Sequence, residues 1–400
     1  MHVVVLGAGV IGVTTAYYLS ELGHTVTVVD SAQDLASGAS GGNGGQLSYS
    51  FTDAMASPAM LSKMPGIAAG LNPAFHVRPP LKPELIRWGL AFLNQCTKRK
   101  HQKNTIAVLQ LALRSGVLMQ ELQSRASLDF SYRQAGKLVM LNGPSAMAEA
   151  EETCALKRPY GCDARVVPFE QAVEIEPALQ QMNNGYTGAV YSEHDEVGNS
   201  LVFTKGLGEW LTANRNTSFQ LNTTVLRIVT RSSKLAAVET DKGSLEPDAL
   251  VVCLGAWSNH LLDPLGIKTN IYPMRGYSVT LPSIETSNSV SITDLGSKTV
   301  FSRLGDQVRI AGFADIVGYR TGKDARRAKQ LLETAQRTAP AIADFSTDST
   351  SDWGGFRPMT PNSQPLIGPS SIEGVHLNTG HGMLGWTLAC ASAHDVAAGV

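Results

Sequence analysis

Three glycines near the start of the chain have the spacing that phosphate binding requires. Gly7, Gly9 and Gly12 form the pattern G-x-G-x-x-G directly after a β-branched run at residues 2–6. In such a pattern the first glycine permits a tight turn, the second lets the backbone approach a pyrophosphate, and the third lets a helix pack closely on the strand. Residues 10–22 carry apolar side chains at helical spacing, so a phosphate would lie at the positive N-terminus of that helix. The pattern predicts dinucleotide binding, and a purely structural turn is the alternative.

A carboxylate ends the second predicted strand, residues 25–29. This residue, Asp30, lies about twenty residues past the glycines, where a carboxylate can accept hydrogen bonds from an adenosine ribose. A carboxylate here also disfavours NADP, because it would repel the 2′-phosphate.

A second glycine-rich segment, residues 37–48 (SGASGGNGGQLS), follows after only a few residues. The backbone N–H groups of such a loop can line a diphosphate and a ring system, and Ser40, Asn43 and Gln46 add polar side chains. A nicotinamide cofactor needs no second loop at this place, whereas the longer FAD molecule does. The segment therefore favours FAD, and a flexible surface loop is the alternative.

Later segments complete the predicted cofactor site. Residues 249–258 (ALVVCLGAWS) indicate a buried strand, a glycine turn and the start of a helix, which we expect beside the first strand. Residues 375–400 predict a last strand, a glycine loop and a helix whose N-terminus could stabilise negative charge on a flavin pyrimidine. Residues 223–228 suggest a strand whose backbone, near Val225, meets the adenine.

The composition bounds the class of protein. A net charge of −1 with 17% charged residues leaves no broad basic surface for nucleic acid. No apolar run approaches the roughly 18 residues that a membrane span needs, and the first residues predict a strand rather than a signal peptide. The five cysteines are scattered without a C-x-x-C pair, which favours reduced residues in a cytoplasmic protein and no metal site.

Taken together, these segments resemble the D-amino-acid oxidase superfamily of two-domain flavoproteins, which includes glycine and sarcosine oxidases. Within it, the chain looks more closely like the small subunit of bacterial D-amino acid dehydrogenases over its whole length. The motifs that carry this likeness are SGGNGGQLS at 40–48, EHDEVGN at 193–199, YPMRGYSVTLP at 272–282, RIAGFADIVGY at 309–319, GFRPMTPNSQPLIG at 355–368 and LNTGHGMLGWTLACAS at 377–392.

The resemblance implies a specific reaction. FAD would be bound non-covalently, and a D-amino acid would be oxidised to the 2-oxo acid and ammonia by hydride transfer from Cα to flavin N5. The electrons would pass to a quinone or another respiratory acceptor rather than to oxygen.

Arg357, in the motif GFRP, matches the arginine that binds the substrate carboxylate in the superfamily. Two parallel N–H donors of a guanidinium fit the two oxygens of a carboxylate, so the residue type suits this role. An ordinary surface ion pair is the alternative. Further substrate-binding candidates, for each of which a structural role is the alternative, are Tyr49, Ser50, Arg275, Tyr277, Arg303 and Tyr319.

The resemblance also assigns the cofactor contacts. His381 is expected to contribute backbone to the flavin rather than to act as a general base, because the substrate amine can lose its proton to solvent. Asp195 and Glu196 are expected to shape a turn. The predicted cofactor-binding residues are Gly7, Gly9, Val10, Ile11, Gly12, Asp30, Ser31, Ser40, Asn43, Gly44, Gly45, Gln46, Leu47, Val225, Gly255, Trp257, Gly380, His381, Gly382, Met383, Leu384, Gly385, Trp386 and Thr387.

The order of these segments predicts an α/β protein with two domains. A discontinuous, Rossmann-like FAD domain would comprise residues 1–80, 198–265 and 353–400. Residues 81–197 and 266–352 would form an α+β substrate domain with a mixed or antiparallel sheet, because their apolar runs are separated by turn signals.

The helical segment of the substrate domain, residues 82–125, is predicted to contain helices at 82–96 and 105–124. An amphipathic patch within it could contact a membrane surface, and a packed helix with a basic end is the alternative. The patch consists of Trp88, Leu90, Phe92, Leu93, Lys98, Arg99 and Lys100. We therefore expect a cytoplasmic protein, with peripheral contact to the inner face of the cytoplasmic membrane as a second hypothesis.

Two other functions remain open at this point. An amino acid oxidase, or a secondary-amine dehydrogenase of the D-proline or hydroxyproline type, would use the same fold. A non-catalytic flavin subunit would only scaffold a partner, and the presence of Arg357 argues against it.

Overall fold

The computed structural model describes residues 1–68, 74–77, 82–182, 185–347 and 351–400. Its helices are α1 (Val10–Glu21), α2 (Pro58–Ala68), α3 (Pro83–Gln95), α4 (Lys98–Ala126), α5 (Pro144–Lys157), α6 (Phe169–Ile175), α7 (Ser200–Asn214), α8 (Ser258–Leu262), α9 (Ala325–Thr338) and α10 (Gly385–Ala397). Its strands are β1 (His2–Leu6), β2 (Thr25–Val29), β3 (Gln46–Leu47), β4 (Phe75–Val77), β5 (Lys137–Leu141), β6 (Arg165–Pro168), β7 (Gly188–Ser192), β8 (Glu196–Val197), β9 (Thr217–Gln220), β10 (Val225–Arg231), β11 (Lys234–Thr240), β12 (Gly243–Leu245), β13 (Ala249–Val252), β14 (Tyr272–Pro282), β15 (Ser291–Asp294), β16 (Thr299–Leu304), β17 (Gln307–Ile316), β18 (Ser351–Met359), β19 (Leu366–Pro369) and β20 (Val375–Thr379).

A six-stranded sheet forms the nucleotide-binding half, in the order β19-β20-β13-β1-β2-β9. Its pairs are parallel except at the β19 edge, and β13 lies beside β1 as predicted. On β1, Val3 and Val5 face a core that α1, α4, α7 and α10 cover, whereas Val4 and Leu6 face a small sheet of β10, β11 and β12. Burial on both faces explains why β1 is an unbroken apolar run.

A nine-stranded sheet forms the other half, in the order β18-β14-β17-β16-β15-β5-β7-β6 with β4 added beside β17. One face, here called the helix face, packs against α9 through Leu331 and neighbouring apolar residues. The opposite face, here called the loop face, covers the glycine-rich segment that follows β2. There Ser278 Oγ donates to the carbonyl oxygen of Gly42 at 2.8 Å, and a Cβ on Gly44 would lie 3.2 Å from Val300 Cγ2. The α/β class with a second, mixed sheet is confirmed.

The predicted domain division does not agree with the packing at three places. β4, predicted in the FAD domain, pairs with β17 of the nine-stranded sheet, and α4, predicted in the substrate domain, packs in the core of the nucleotide-binding half. The segment 353–400 was expected to belong to the FAD domain, but β18 pairs with β14 from Met359 opposite Tyr272 to Ser351 opposite Thr280. The strand therefore belongs to the nine-stranded sheet. The sequence did not indicate this pairing because the partner strand lies far away along the chain. The predicted boundary between residues 80 and 81 lies outside the described residues.

The predicted helices at 82–96 and 105–124 correspond to α3 and α4, and α4 begins earlier than expected. Thr97 caps it, because its hydroxyl oxygen accepts the backbone N–H of Lys100 at 3.3 Å. None of the helices in the described part of the chain combines the length and apolarity that crossing a membrane requires.

Candidate active site

The turn between β1 and α1 has the geometry that the glycine pattern predicts. Gly7 has a φ of +106°, and a Cβ on Gly12 would lie only 1.7 Å from the Gly7 carbonyl oxygen. Gly9 precedes the helix and has no side chain that could cap it. Ser40 Oγ accepts the Val10 N–H, and the following first-turn N–H groups of α1, including that of Ile11, receive no cap from Gly9. Such a helix N-terminus can bind pyrophosphate.

Asp30 supports this turn from the end of β2. Its carboxylate accepts the backbone N–H of Ala8 at 2.7 Å and that of Ala32 at 2.8 Å. Its carbonyl oxygen accepts the N–H of Thr223 at 2.9 Å, which brings the start of β10 at Val225 close to Asp30. The neighbouring Ser31 is exposed. Each carboxylate oxygen has a further lone pair with which it can bind a ribose hydroxyl.

The glycine-rich segment 37–48 runs between the two sheets. Ser40 Oγ accepts the N–H of Val10 at 2.9 Å, and the Ser40 carbonyl oxygen accepts the hydroxyl of Ser200 at 2.7 Å. Gly45 has a φ of +75° and lies against Leu304 on the loop face. Further along, β3, which contains the predicted residues Gln46 and Leu47, pairs with β8. From Ser40 to Ser48 the segment is therefore packed between the two sheets rather than a surface loop, whereas residues 37–39 are exposed.

The loop before α10 meets the same segment. Ser48 donates its backbone N–H to Thr387 Oγ1 at 3.1 Å, and Trp386 donates its indole N–H to the Gly198 carbonyl oxygen at 3.1 Å. Gly380 and Gly382 have φ values of +80° and +56°. The remaining predicted residues of this loop are Met383, which is half-exposed, and Leu384 and Gly385, which are partly buried.

His381 lies in this loop but does not have the properties of a base. Burial lowers the pKa of His381 to about 3, so the ring is neutral at physiological pH. Its Nε2 lies 2.9 Å from Ser392 Oγ.

Arg357 lies beside the α10 loop, on β18. The Pro358 carbonyl oxygen accepts the N–H of Gly382 at 3.0 Å, and Met359 forms a β-bridge with His381. The Arg357 guanidinium donates from Nη1 to the Phe313 carbonyl oxygen at 2.6 Å. Burial lowers the pKa of Arg357 to about 10, which leaves it charged at physiological pH.

The Arg357 cation has no ion-pair partner among the described residues, in contrast to Arg327, which pairs with Asp315 at 2.6 Å. The Phe313 carbonyl that holds Arg357 belongs to a β-bulge, where Phe313 adopts a φ of +60°. A non-glycine residue with positive φ is uncommon and is found at functional sites when the surrounding structure maintains it. The bulge therefore fixes a partly accessible guanidinium that lacks an anion.

Two of the weaker candidates lie on the other side of the sheet. Gly276 is on the loop face, because a Cβ there would lie 2.6 Å from Arg357 Cζ. Side chains alternate along a strand, so its neighbours Arg275 and Tyr277 are on the helix face. Arg275 donates to the Arg320 carbonyl oxygen at 3.1 Å, and the Tyr277 hydroxyl donates to Asp315 at 2.9 Å. The structure thus does not bring either side chain to Arg357.

Arg303 is also remote from Arg357. It is adjacent to Ser302, which pairs with Arg309 on the loop face, so Arg303 faces the helix side. The only hydrogen bond of its guanidinium in the described part of the chain is a long one of 3.4 Å to the Gly305 carbonyl oxygen.

Tyr319 lies closer to the predicted site. Its hydroxyl donates to the Ala256 carbonyl oxygen at 2.9 Å, and its ring lies 5.1 Å from that of Trp257 and 6.1 Å from that of Phe356, the neighbour of Arg357. The adjacent Gly255 accepts the hydroxyl of Thr379 at 3.2 Å through its carbonyl oxygen.

Tyr49 and Ser50 are held by the two acids that were expected only to shape a turn. The Tyr49 hydroxyl donates to Glu196 at 2.7 Å, and Ser50 donates its N–H to Asp195 at 3.1 Å. Both acids are buried, so they anchor the segment after the glycine-rich loop. The turn interpretation is therefore incomplete, because a turn signal does not reveal long-range partners.

Sequence reasoning missed two residues of the loop face, Arg309 and Lys137. Each is buried and donates to the segment 42–48. The only signal was a cation at the start of each of two otherwise apolar strand motifs, RIAGF and GKLVML.

Comparison with known proteins identifies the family of the chain. The family model described as "FAD dependent oxidoreductase" (DAO) matches residues 2–398. D-amino acid dehydrogenase 2 of Ralstonia nicotianae is 35% identical over 403 residues, which is 98% of this chain and 95% of that protein. The D-amino acid dehydrogenase of Dechloromonas aromatica is 36% identical over 404 residues, covering 99% and 96% of the two chains.

Solved structures share the fold at lower identity. L-proline dehydrogenase from P. horikoshii superposes with a TM-score of 0.77 at 17% identity, covering 99% of this chain and 92% of that one. Glycine oxidase from Geobacillus kaustophilus also gives 0.77, at 19% identity, covering 99% and 93%. From the match over nearly its whole length, this chain belongs to the DAO family of FAD-dependent oxidoreductases.

Proposed function

We propose that the chain is a D-amino acid dehydrogenase, which oxidises a D-amino acid to the 2-oxo acid and ammonia with non-covalently bound FAD. The observation that carries the proposal is the Arg357 guanidinium, which lies next to the α10 loop and has no ion-pair partner among the described residues. A partly buried cation without an anion is costly unless a ligand supplies one. The names of the full-length relatives support a D-amino acid as that ligand. Anaerobic flavin reduction by D-alanine tests the proposal.

The chain's own residues would bind and orient the substrate. Arg357 would bind its carboxylate through the N–H groups that do not contact Phe313, and a fixed carboxylate orients the Cα–H bond. When bound, FAD supplies the two-electron acceptor for the hydride from Cα. Because burial lowers the pKa of His381 to about 3, its ring is a weak proton acceptor, and its Nε2 contacts Ser392. The proton of the substrate amine would therefore go to solvent.

The residues present fit FAD. Because Gly9 has no side chain, there is room for a phosphate at the first turn of α1. A Cβ on Gly12 would not fit, because Gly12 lies in close contact with the Gly7 carbonyl oxygen. The segment 42–45 and the N-terminus of α10 would line the flavin, and the α10 terminus would stabilise negative charge on it.

Asp30→Ala is expected to weaken FAD binding roughly tenfold to hundredfold, because charge-assisted hydrogen bonds to the ribose are worth about 1.5–3 kcal/mol. The loss of the contact with Ala8 would also loosen the glycine turn. Fluorescence titration of the apoprotein with FAD measures the affinity. Asp34→Ala, at an exposed acid that pairs with Lys205, is the control and should bind FAD normally. Unchanged affinity in the Asp30 variant would mean that the ribose is held elsewhere.

We further propose that the acceptor is a membrane quinone reached by peripheral contact of α3 with the bilayer. Two residues of the predicted patch are not available to a membrane: Trp88 and Phe92 are 7% and 5% exposed because they pack in the core with Met359. On the exposed side of the helix, Ile86, Leu90 and Leu93 are 57%, 65% and 42% exposed. The basic sequence KRKHQK follows at the start of α4. Exposed apolar residues next to basic ones suit an anionic lipid surface.

The double variant Ile86→Glu/Leu90→Glu is expected to bind anionic vesicles at least tenfold less tightly than the wild type, because it removes apolar area and adds negative charge. Co-sedimentation with phosphatidylglycerol vesicles measures binding. Val117→Glu, at a residue of α4 that is 58% exposed, is the matched control. Flavin reduction by substrate should be the same in all three proteins. A wild type that does not sediment with the vesicles would exclude the membrane proposal.

A further inference from the structure

Two buried cations lie on the loop face of the nine-stranded sheet. Arg309 is 7% exposed and Lys137 is 2% exposed. Arg309 pairs in register with Thr280, two residues from Ser278, which contacts Gly42. Lys137 lies opposite Ser291, whose hydroxyl accepts the side-chain N–H of Gln46 at 2.5 Å. Both cations thus lie against the glycine-rich segment.

Among the residues that the structure describes, both cations donate only to uncharged oxygens. Arg309 donates from Nη1 to the Asn43 carbonyl oxygen at 3.0 Å and from Nε to Thr280 Oγ1 at 2.7 Å. Lys137 Nζ donates to Gln46 Oε1 at 2.8 Å and to Ser48 Oγ at 2.7 Å. The two cations therefore hold the segment at three successive points by its oxygen atoms.

Neither cation forms an ion pair within the described part of the chain. The contrast is with Lys157, which is also buried but contacts Asp53 at 2.8 Å. Asp195 attracts Lys137 only from beyond contact distance. Desolvation lowers the pKa of both groups, that of Lys137 to about 8. Burial of a cation without a contacting anion is expensive, and it is found where a site uses the charge. The attraction of Asp195 offsets only part of this cost for Lys137.

We propose that Arg309 and Lys137 are positioning residues for the flavin: they clamp the segment 43–48 and place positive charge behind it, which favours reduced flavin over oxidised flavin. This inference rests on the proposed FAD site. A reduced flavin that carries negative charge gains from a nearby cation in a medium of low dielectric constant, whereas a neutral oxidised flavin does not.

The test separates the charge from the clamp. Arg309→Gln retains hydrogen-bond donors but not the charge, and Lys137→Met removes both. Each holoenzyme is reduced with dithionite in the presence of reference dyes, which gives the midpoint potential without any amino acid substrate. FAD affinity is measured in parallel by titration. Arg133→Met is the matched control, because Arg133 also donates to carbonyl oxygens, those of Ser289 and Arg303, but not to the segment.

We expect Arg309→Gln to disfavour reduced flavin about tenfold relative to oxidised flavin, a shift of roughly 30 mV to more negative potential for a two-electron couple, with FAD affinity within a few-fold of wild type. Lys137→Met should show a similar shift and bind FAD at least tenfold more weakly. If the Lys137→Met variant does not fold, Lys137→Gln is used in both measurements instead. Wild-type potentials in folded, FAD-loaded variants would overturn the inference.

Failure of the proposed function would be recognised separately. A wild type that no D-amino acid reduces would remove the substrate assignment, while the dye titration would still measure the effect of the two cations on the flavin.

Discussion

Replacing Arg357 by alanine is expected to lower kcat/KM for a D-amino acid more than hundredfold while FAD stays bound. A charge-assisted hydrogen bond is worth about 1.5–3 kcal/mol, or roughly tenfold to hundredfold, and a carboxylate clamp makes two. Because the clamp also orients Cα–H, the limiting rate of flavin reduction should fall together with substrate affinity. Anaerobic stopped-flow measurement of flavin bleaching separates the two quantities.

Arg357→Lys keeps the charge but loses the two-pronged fit, so we expect a loss of about tenfold to hundredfold. The decisive comparison uses a D-amino acid amide, which lacks the carboxylate. The wild type should discriminate strongly against the amide, and the alanine variant hardly at all. Arg275→Lys and Arg303→Lys should retain the wild-type discrimination, because their side chains are on the helix face. Equal discrimination by the wild type and Arg357→Ala would remove Arg357 from the proposed role.

D-amino acids are expected to bleach the flavin at least a hundredfold faster than their L-enantiomers. A substrate held by its carboxylate, its amine and a Cα–H bond aimed at the flavin has three fixed points, and the opposite hand cannot satisfy all three. The fold alone does not decide the hand, since one solved protein with the same fold is named an L-proline dehydrogenase. Matched pairs of alanine, proline and phenylalanine enantiomers give the ratio.

Flavin bleaching, followed by reoxidation of the reduced flavin with oxygen or a quinone, distinguishes the alternative functions. Faster bleaching by D-proline than by D-alanine would indicate a secondary-amine dehydrogenase. Peroxide formation at a rate equal to quinone turnover would indicate an oxidase. Absence of bleaching by every D-amino acid, in a chain that binds FAD, would indicate a non-catalytic flavin subunit.

The nucleotide-binding half could be predicted from the sequence because its signals are local. The close contact between Gly12 and Gly7 joins residues only five positions apart. The unbroken apolar run of β1 by itself predicts a strand that is buried on both faces. Asp30 was singled out by its place at the end of a strand. The glycine-rich segment at 37–48 indicated close approach of the backbone, and the structure places the loop face of the sheet against it.

The substrate-binding residues could be assigned only from the tertiary structure. The motif GFRP favours Arg357 over Arg275 and Arg303 in the sequence. Only the strand pairing shows that Arg357 lies on the loop face, with no carboxylate partner in the described part of the chain, and that the other two do not. Lys137 appeared only as the first residue of an apolar strand, yet it holds Gln46, a residue 91 positions away. Alternation along a strand separates its side chains into two faces. Which face covers the cofactor loop, and which cation lacks an anion there, is decided by contacts between segments far apart in the chain.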